Sequence, residues 1–299
     1  MKTFNCLFFS ITEETPSFAN WSCLPKAMEE LGMFADSASH ESLRIEYGEL
    51  VCTNHTGTDY LLEEFELIWL LGLGERSTFL DRMQLLKNFN SDRFVNSIDS
   101  YVYRHAKGGL FHTSLIEFQP ETIVSDNPDV ILSHMVPGKK WIIKPNAGSF
   151  GDKVFGISPE DENARSIIET VCRDGYALLQ KRVDTKDEKR VLVSAGKVIG
   201  CYGKQGNELR KNIATGTTAV KATLTDFERL MANKVASKLL ELEIRFAALD
   251  IAYPYLLDVN IVNPGFLGTY QTLTGINLAT KVCESVLEDM FGLESFNTH

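Results

Sequence analysis

Two apolar runs flank Tyr253-Pro254, and each is broken by an acid where a hydrophobic residue would be expected. Leu249, Ile251, Leu257, Val259 and Ile261 belong to a core, while Asp250, Asp258 and Asn260 interrupt them. The runs Ala247 to Ala252 and Tyr255 to Val262 therefore face each other as a hairpin with the proline at its turn. Side chains two apart on a strand share a face, so Asp258 and Asn260 project together, and folding about Pro254 sets Asp250 opposite Asp258. Two carboxylates directly across a sheet repel unless something cationic lies between them. An all-oxygen set of this kind suits Mg2+ bound jointly with phosphates. The competing interpretation leaves one or both acids facing solvent.

Charge narrows the partners. Against 40 Asp and Glu the chain of 299 residues has 30 Lys and Arg, a formal net charge of -10, which disfavours binding to a phosphate backbone. No nucleic acid is expected as partner. The longest apolar stretch, Leu67 to Leu73, falls short of the roughly 20 residues that span a bilayer, so no membrane partner is expected either. Lys2 is the sole basic residue near the start, and Asn5, Glu13 and Glu14 break the apolar pattern, so the first residues read as a strand rather than a secretory signal. Cys6, Cys23, Cys52, Cys172, Cys201 and Cys283 form no CxxC pair, as expected of buried thiols in a reducing cytoplasm.

Strand and helix alternate up to about Lys87: a strand at Phe4 to Phe9, a helix from Leu24 to Leu31 stopped by Gly32, a hairpin about Tyr47-Gly48, a buried strand at Phe65 to Leu71, and a helix from Ser77 to Leu86. This pattern predicts a small α/β domain with a largely parallel sheet. Beyond it come a helix near Ser97 to Lys107, a turn at Gly108 and Gly109, a second helix to Glu117, and a strand at Thr122 to Val124. A short helix from Pro128 to Ser133 precedes strands at Trp141 to Lys144 and Val154 to Ile157. Two more strands, Tyr176 to Gln180 and Arg190 to Val193, are joined by the charged turn Asp184 to Lys189. The clearest helix opens on Thr225 and Glu228 at capping-box spacing, with Phe227, Leu230, Met231, Val235, Leu239 and Leu242 at helical period.

Other residues could carry chemistry. A strand delivers Lys144 into the turn Pro145-Asn146-Ala147-Gly148-Ser149-Phe150-Gly151, whose glycines could let backbone N–H groups approach phosphate oxygens; the alternative is an ordinary hairpin turn. Gly72-Leu73-Gly74 lacks the third glycine and the acid of a dinucleotide fingerprint. Arg190, Lys204 and Arg210 gather positive charge in an acidic chain, as needed to hold a transferring phosphoryl group and a carboxylate, or else form surface salt bridges. The six histidines show no metal spacing, and no serine nucleophile elbow is present.

From about Phe94 onward the order of these pieces resembles the ATP-grasp ligases, and within them prokaryotic glutathione synthetase. Val95-Asn96-Ser97 with Lys107, Pro120-Glu121-Thr122, Lys144-Pro145 with Gly148 and Gly151, Gln180, Glu188 to Val193, Arg210 with Asn212 and Gly216, Leu224-Thr225, Leu249-Asp250-Ile251 and Asp258-Val259-Asn260 follow in the family's order. The resemblance implies an α/β (α+β) ATP-grasp fold with three parts: a Rossmann-like N-terminal domain at 1–92, a central subdomain at 93–180, and a C-terminal subdomain at 181–299. It implies ATP and Mg2+ as cofactors and small-molecule carboxylate and amine substrates, with a homo-oligomer as an option. Lys107, Lys144, Gly148, Ser149 and Gly151 would hold the phosphates, Gln180, Lys181 and Val183 the adenine, and Asp250, Asp258 and Asn260 the Mg2+. Arg190, Lys204, Arg210 and Asn212 would be catalytic, neutralising an acyl phosphate. Lys153 stands where a third loop glycine is usual, Asp258 replaces a glutamate, and Asn263-Pro264-Gly265-Phe266 replaces a hydroxyl-rich segment. The implied activity is ATP-dependent amide formation. A ligase for another amino acid, peptide or natural-product acid, and an ATP-binding relative without turnover, are the alternatives.

Overall fold

The computed structural model describes residues 4–10, 19–110, 113–148, 153–184, 187–206 and 218–292. Strand β1 (Asn5–Phe9) is central in a parallel sheet, with β2 (Phe34–Ala38) on one side and β6 (Leu67–Leu70) on the other. Strands β1 and β6 are apolar at nearly every position because both faces are covered, as parallel sheets require, whereas the edge strand β2 carries Asp36 and Ser37 and buries only Ala38. Cys6, Phe8, Leu67 and Trp69 enter one core with helix α1 (Asn20–Glu30), and Leu7, Phe9, Ile68 and Leu70 enter another on the opposite face. The strands β3 (Arg44–Glu46), β4 (Glu49–Thr53) and β5 (Asp59–Leu61) form a small antiparallel sheet beside it. Tyr47 and Gly48 both take positive φ, 51° and 95°, which a two-residue hairpin turn demands.

Helix α2 (Phe79–Lys87) matches expectation, while the helix predicted to reach Lys107 is shorter: α3 spans Ile98–Arg104, and Lys107 opens a 3-10 turn, Lys107–Leu110. The second predicted helix is likewise a 3-10 turn, Ser114–Phe118. A four-stranded sheet follows in the order β7-β10-β8-β9, from β7 (Thr122–Ser125), β8 (Trp141–Pro145), β9 (Phe155–Ile157) and β10 (Ala177–Lys181). Helices α4 (Pro128–Ser133) and α5 (Ala164–Cys172) pack on it, the latter unforeseen.

The last sheet, in the order β13-β12-β11-β14-β15, comprises β11 (Glu188–Ser194), β12 (Lys197–Gln205), β13 (Thr218–Lys221), β14 (Phe246–Ala252) and β15 (Tyr255–Asn260). The charged turn after Asp184 thus leads from one sheet into another. Val191, Val193, Leu249 and Val259 lie against helix α6 (Asp226–Glu241). That helix has the expected capping box, with the Thr225 side chain accepting from the Glu228 N–H. Its buried stripe is Met231, Ala232, Val235 and Leu239, whereas Phe227 and Leu230 are 68% and 57% exposed, contrary to expectation. They lie on the next stripe round the helix, where Phe227 meets the Tyr253 ring at 6.0 Å. Helices α7 (Leu267–Thr274) and α8 (Ala279–Phe291) close the core shared with α1.

Asn96 joins these parts. Buried to 1%, it donates to the Phe246 and Ile261 carbonyls (2.8 and 2.7 Å) and accepts from the Arg245 and Phe246 N–H groups (2.8 and 2.9 Å). Every hydrogen-bonding site of the amide is used, and both strands of the acid-bearing hairpin are gripped at one end. Asn96→Ala would orphan two buried donors and two buried acceptors, so urea unfolding should show a loss of about 3 kcal/mol. A loss under about 1 kcal/mol would reject this role.

Candidate active site

The register of the last sheet decides which side chains meet. Arg190 pairs with Tyr202 on one side and Asp250 on the other, Glu188 pairs with Lys204, and Asp250 lies directly across from Asp258, with Ala248 opposite Asn260. Cross-strand partners share a face, so Glu188, Arg190, Lys204, Asp250, Asp258 and Asn260 all project to the side away from α6. The opposed acids predicted from the hairpin are in place, with a register shift after Asp250.

The cations that separate the acids come from the chain itself. Arg190 donates through Nε and Nη2 to the two oxygens of Asp250, both at 2.8 Å, and through Nη1 to the Pro264 carbonyl at 3.1 Å. Lys204 Nζ sits 2.8 Å from Asp250 Oδ1 and 3.0 Å from Glu188 Oε1. Burial pushes the Asp250 carboxyl up, yet Arg190 and Lys204 more than offset it and hold the group well below the usual carboxylate range. Asp258 accepts from Lys107 Nζ at 2.9 Å. Burial raises this carboxyl too, and Lys107 and Lys144 together bring it below its ordinary value.

Lys107 and Lys144 reach this place from the central part. Lys144 stands on β8, where burial lowers its pKa despite the nearby Asp258, and its Nζ is 3.4 Å from Gln180 Oε1. Gln180, on β10, also donates to Thr122 Oγ1 at 3.2 Å, so its side chain is engaged by Lys144 and Thr122. Lys181 ends β10 with its N–H on the Glu121 carbonyl, and Val183 follows, half-buried. Lys107, Lys144, Leu178, Gln180, Leu257 and Asp258 line a narrow cleft between the two sheets, in which charged and amide groups mix with leucine side chains. Gly148 lies just beyond β8, while Ser149, Gly151, Arg210, Asn212 and Gly216 lie outside the described residues. Lys153 takes positive φ, 51°, and its ammonium pairs with Asp174.

Three residues had no role in the sequence analysis and have one in the geometry: Glu188, which braces Lys204; Asn146, whose carbonyl and side chain hold the turn bearing Lys107; and Asn263, which accepts from Asn20 at 2.8 Å and from Asn260 Nδ2 at 3.2 Å. Glu188 was open to detection, being two residues before Arg190 and hence on the same face.

Comparison with known proteins bears on this arrangement. The family profile described as "Prokaryotic glutathione synthetase, ATP-grasp domain" matches residues 108–275. The chain belongs to this family. A glutathione synthetase of Synechococcus elongatus is 27% identical over 195 residues, covering 63% of this chain and 60% of that protein. The chain thus matches about three fifths of the length of such relatives. Two solved structures align nearly end to end. The macrocyclase MdnC bound with precursor peptide MdnA from Microcystis aeruginosa MRC has 12% identity and a TM-score of 0.70, covering 95% of this chain and 100% of that one. The ATP-grasp ligase PsnB complexed with a minimal precursor has 15% identity and a TM-score of 0.67, covering 97% and 100%. At such identities the likeness establishes the fold, which is ATP-grasp.

The depressed carboxyl of Asp250 gives a pH dependence. Its folded pKa lies below its unfolded value, so its contribution to stability is complete above the ordinary Asp pKa of about 4 and is lost as pH falls toward the folded value. Urea unfolding from pH 7 to pH 3 should show a decline below pH 4 that is shallower in Asp250→Asn, and identical slopes would contradict the assignment.

Proposed function

We propose that the protein is an ATP-dependent carboxylate–amine ligase that activates an acid as its acyl phosphate. The observation that carries this is the convergence of Lys107, from a 3-10 turn, Lys144, from β8, and Asp258, from β15, on one cleft, with the Arg190-paired Asp250 directly across the sheet from Asp258. The two lysines suit the phosphates of ATP, and Leu178 and Leu257 suit its base. The donor chemistry fits Mg2+ as well: Asp258 is kept ionised and part-exposed, and Asp250 and Asn260 lie on the same face. Asp258, with Asn260 on the same face, would hold the ion, which when bound screens the phosphate charge; Asp250, both of whose oxygens are engaged by Arg190 and Lys204, would join them only on release from those cations.

In this proposal the chain's own groups mainly position and neutralise, as phosphoryl transfer requires. Lys107 and Lys144 bind and orient the nucleotide, and the cleft walls exclude water. Arg190 and Lys204 hold positive charge beside the place where an acid's oxygen attacks the terminal phosphorus of ATP. That step forms an O–P bond as the bond to ADP breaks, and an amine then attacks the acyl carbon, releasing phosphate and leaving an amide. Arg210 and Asn212 are assigned to the same charge-neutralising group from sequence alone. The domain limits at 92 and 180 are proposed on the same footing.

The relatives' name, glutathione synthetase, directs the first substrate panel to γ-glutamyl dipeptides and amino acids. Peptides belong in it also, because the aligned structures were solved with precursor peptides. Mg-ATP should raise the melting temperature, with about 2.7 kcal/mol of stabilisation at a hundredfold excess over Kd, and the absence of a shift at millimolar concentration would remove the nucleotide assignment. ADP release should require an acid and an amine together, with the amide detected by mass. Asp258→Asn should lower kcat at least a hundredfold with a smaller change in ATP affinity. Wild-type ADP release by that variant would eliminate the role given to Asp258.

A further inference from the structure

We infer that Asn146 is a positioning residue for the nucleotide, setting where Lys107 stands relative to Lys144. The inference rests on the proposed ATP site and adds to it a residue that does not itself belong to the set of phosphate contacts. Asn146 lies two residues past Lys144, just beyond the end of β8. Its own N–H donates to the Tyr176 carbonyl at 2.9 Å, which anchors it to the segment leading into β10. It then captures two successive N–H groups of another part of the chain. Its carbonyl accepts from the Lys107 N–H at 2.9 Å, and its Oδ1 accepts from the Gly108 N–H at 2.6 Å.

The 3-10 turn that carries Lys107 follows α3 and has no strand to hold it. The backbone of Lys107 is therefore placed by Asn146, and its ammonium spans the cleft to Asp258 at 2.9 Å. Gly108 is matched to this contact. A Cβ there would lie 2.7 Å from Asn146 Oδ1 and 3.2 and 3.3 Å from the two Val124 methyl groups, closer than a packed side chain allows. Neither Asn146 nor Gly108 reaches across the cleft; both act on where Lys107 begins. A lysine whose backbone shifts by about 1 Å presents its ammonium to the wrong place, a displacement that is costly at sites working by orientation.

The test is a double-mutant cycle on Mg-ATP affinity, measured by calorimetry on the full chain, with Asn146→Ala, Lys107→Ala and the pair. Each single variant should weaken binding about tenfold. Because Asn146 acts through Lys107, the pair should bind no more weakly than Lys107→Ala alone. Multiplying losses would overturn the inference, and so would wild-type affinity in Asn146→Ala. Gly108→Ala is the second variant, expected to reproduce the loss if Asn146→Ala does not fold, and wild-type affinity in it counts equally against the tether. Hydrogen exchange without nucleotide gives an independent readout. The Gly108 amide should lose protection in Asn146→Ala and keep it in Asn146→Asp, whose side chain still accepts; retained protection in Asn146→Ala also refutes the tether. Failure of the wild type to bind Mg-ATP would instead reject the nucleotide site, and the inference with it.

Discussion

The Asp250 carboxylate has no free oxygen: Arg190 takes both and Lys204 shares one. The C-terminal half of the cleft depends on this triad. Burying two cations in a sheet interior costs several kcal/mol per ion unless the geometry is close to ideal, and the parallel bonds of a guanidinium to a carboxylate supply it. The strand order provides the rest. Having β11 between β12 and β14 puts Arg190 beside Asp250, and Glu188 beside Lys204, without any loop being asked to do so. The residual charge is settled at the edges, by Glu188 behind Lys204 and by the Pro264 carbonyl behind Arg190.

A second buried pair secures the same strand to its helix. Lys189 meets both oxygens of Glu228 at 2.7 and 2.8 Å, and Glu228 also caps α6 through the Thr225 N–H. Burial disfavours both charges, but each stabilises the other, so Glu228 stays below and Lys189 above its ordinary pKa. Since Lys189 and Arg190 point to opposite faces, β11 is fixed by an ion pair on either side.

The acid-bearing hairpin was legible because alternation with Leu249, Ile251, Val259 and Ile261 leaves one register that buries the apolar set and opposes Asp250 to Asp258; Leu257, expected in the core with them, instead lines the cleft, because the register shift after Asp250 turns Leu256 inward. The capping box of α6 was legible for a similar reason, being local. The source of the compensating charge was not legible. Lys204 reaches Asp250 only through β12, a strand the sequence pattern did not disclose, since Gly200 and Gly203 dilute its alternation. Asn96 and Asn146 figure in the sequence only as members of the Val95-Asn96-Ser97 element and of the turn after Lys144; what each amide holds was not legible, because partners far along the chain leave no trace at the amide itself. Helix α8, with Ala279, Val282, Cys283 and Val286 on one face, carries a helical period legible in the sequence. Phe227 and Leu230 failed in the opposite sense, since helical period admits two neighbouring stripes and burial selects one.

The hydrophobic cores divide the molecule unevenly. Phe8, Trp69, Leu192, Tyr202, Phe246 and Val286 belong to one cluster, so the N-terminal sheet and the C-terminal sheet share an interior. Ile131, Trp141, Ile143, Ile168 and Leu179 form a cluster confined to the central sheet and its two helices. Rotation of the central sheet as a rigid lobe would therefore leave both interiors intact, whereas parting the N-terminal sheet from the C-terminal one would open packed hydrocarbon to water. Lys107 is held by Asn146 beyond β8 and pairs with Asp258 on β15, so their ion pair bridges the central and the last sheet. An anion entering the cleft competes with Asp258 for Lys107, so a phosphate-bearing occupant would break the ion pair that joins the two sheets there.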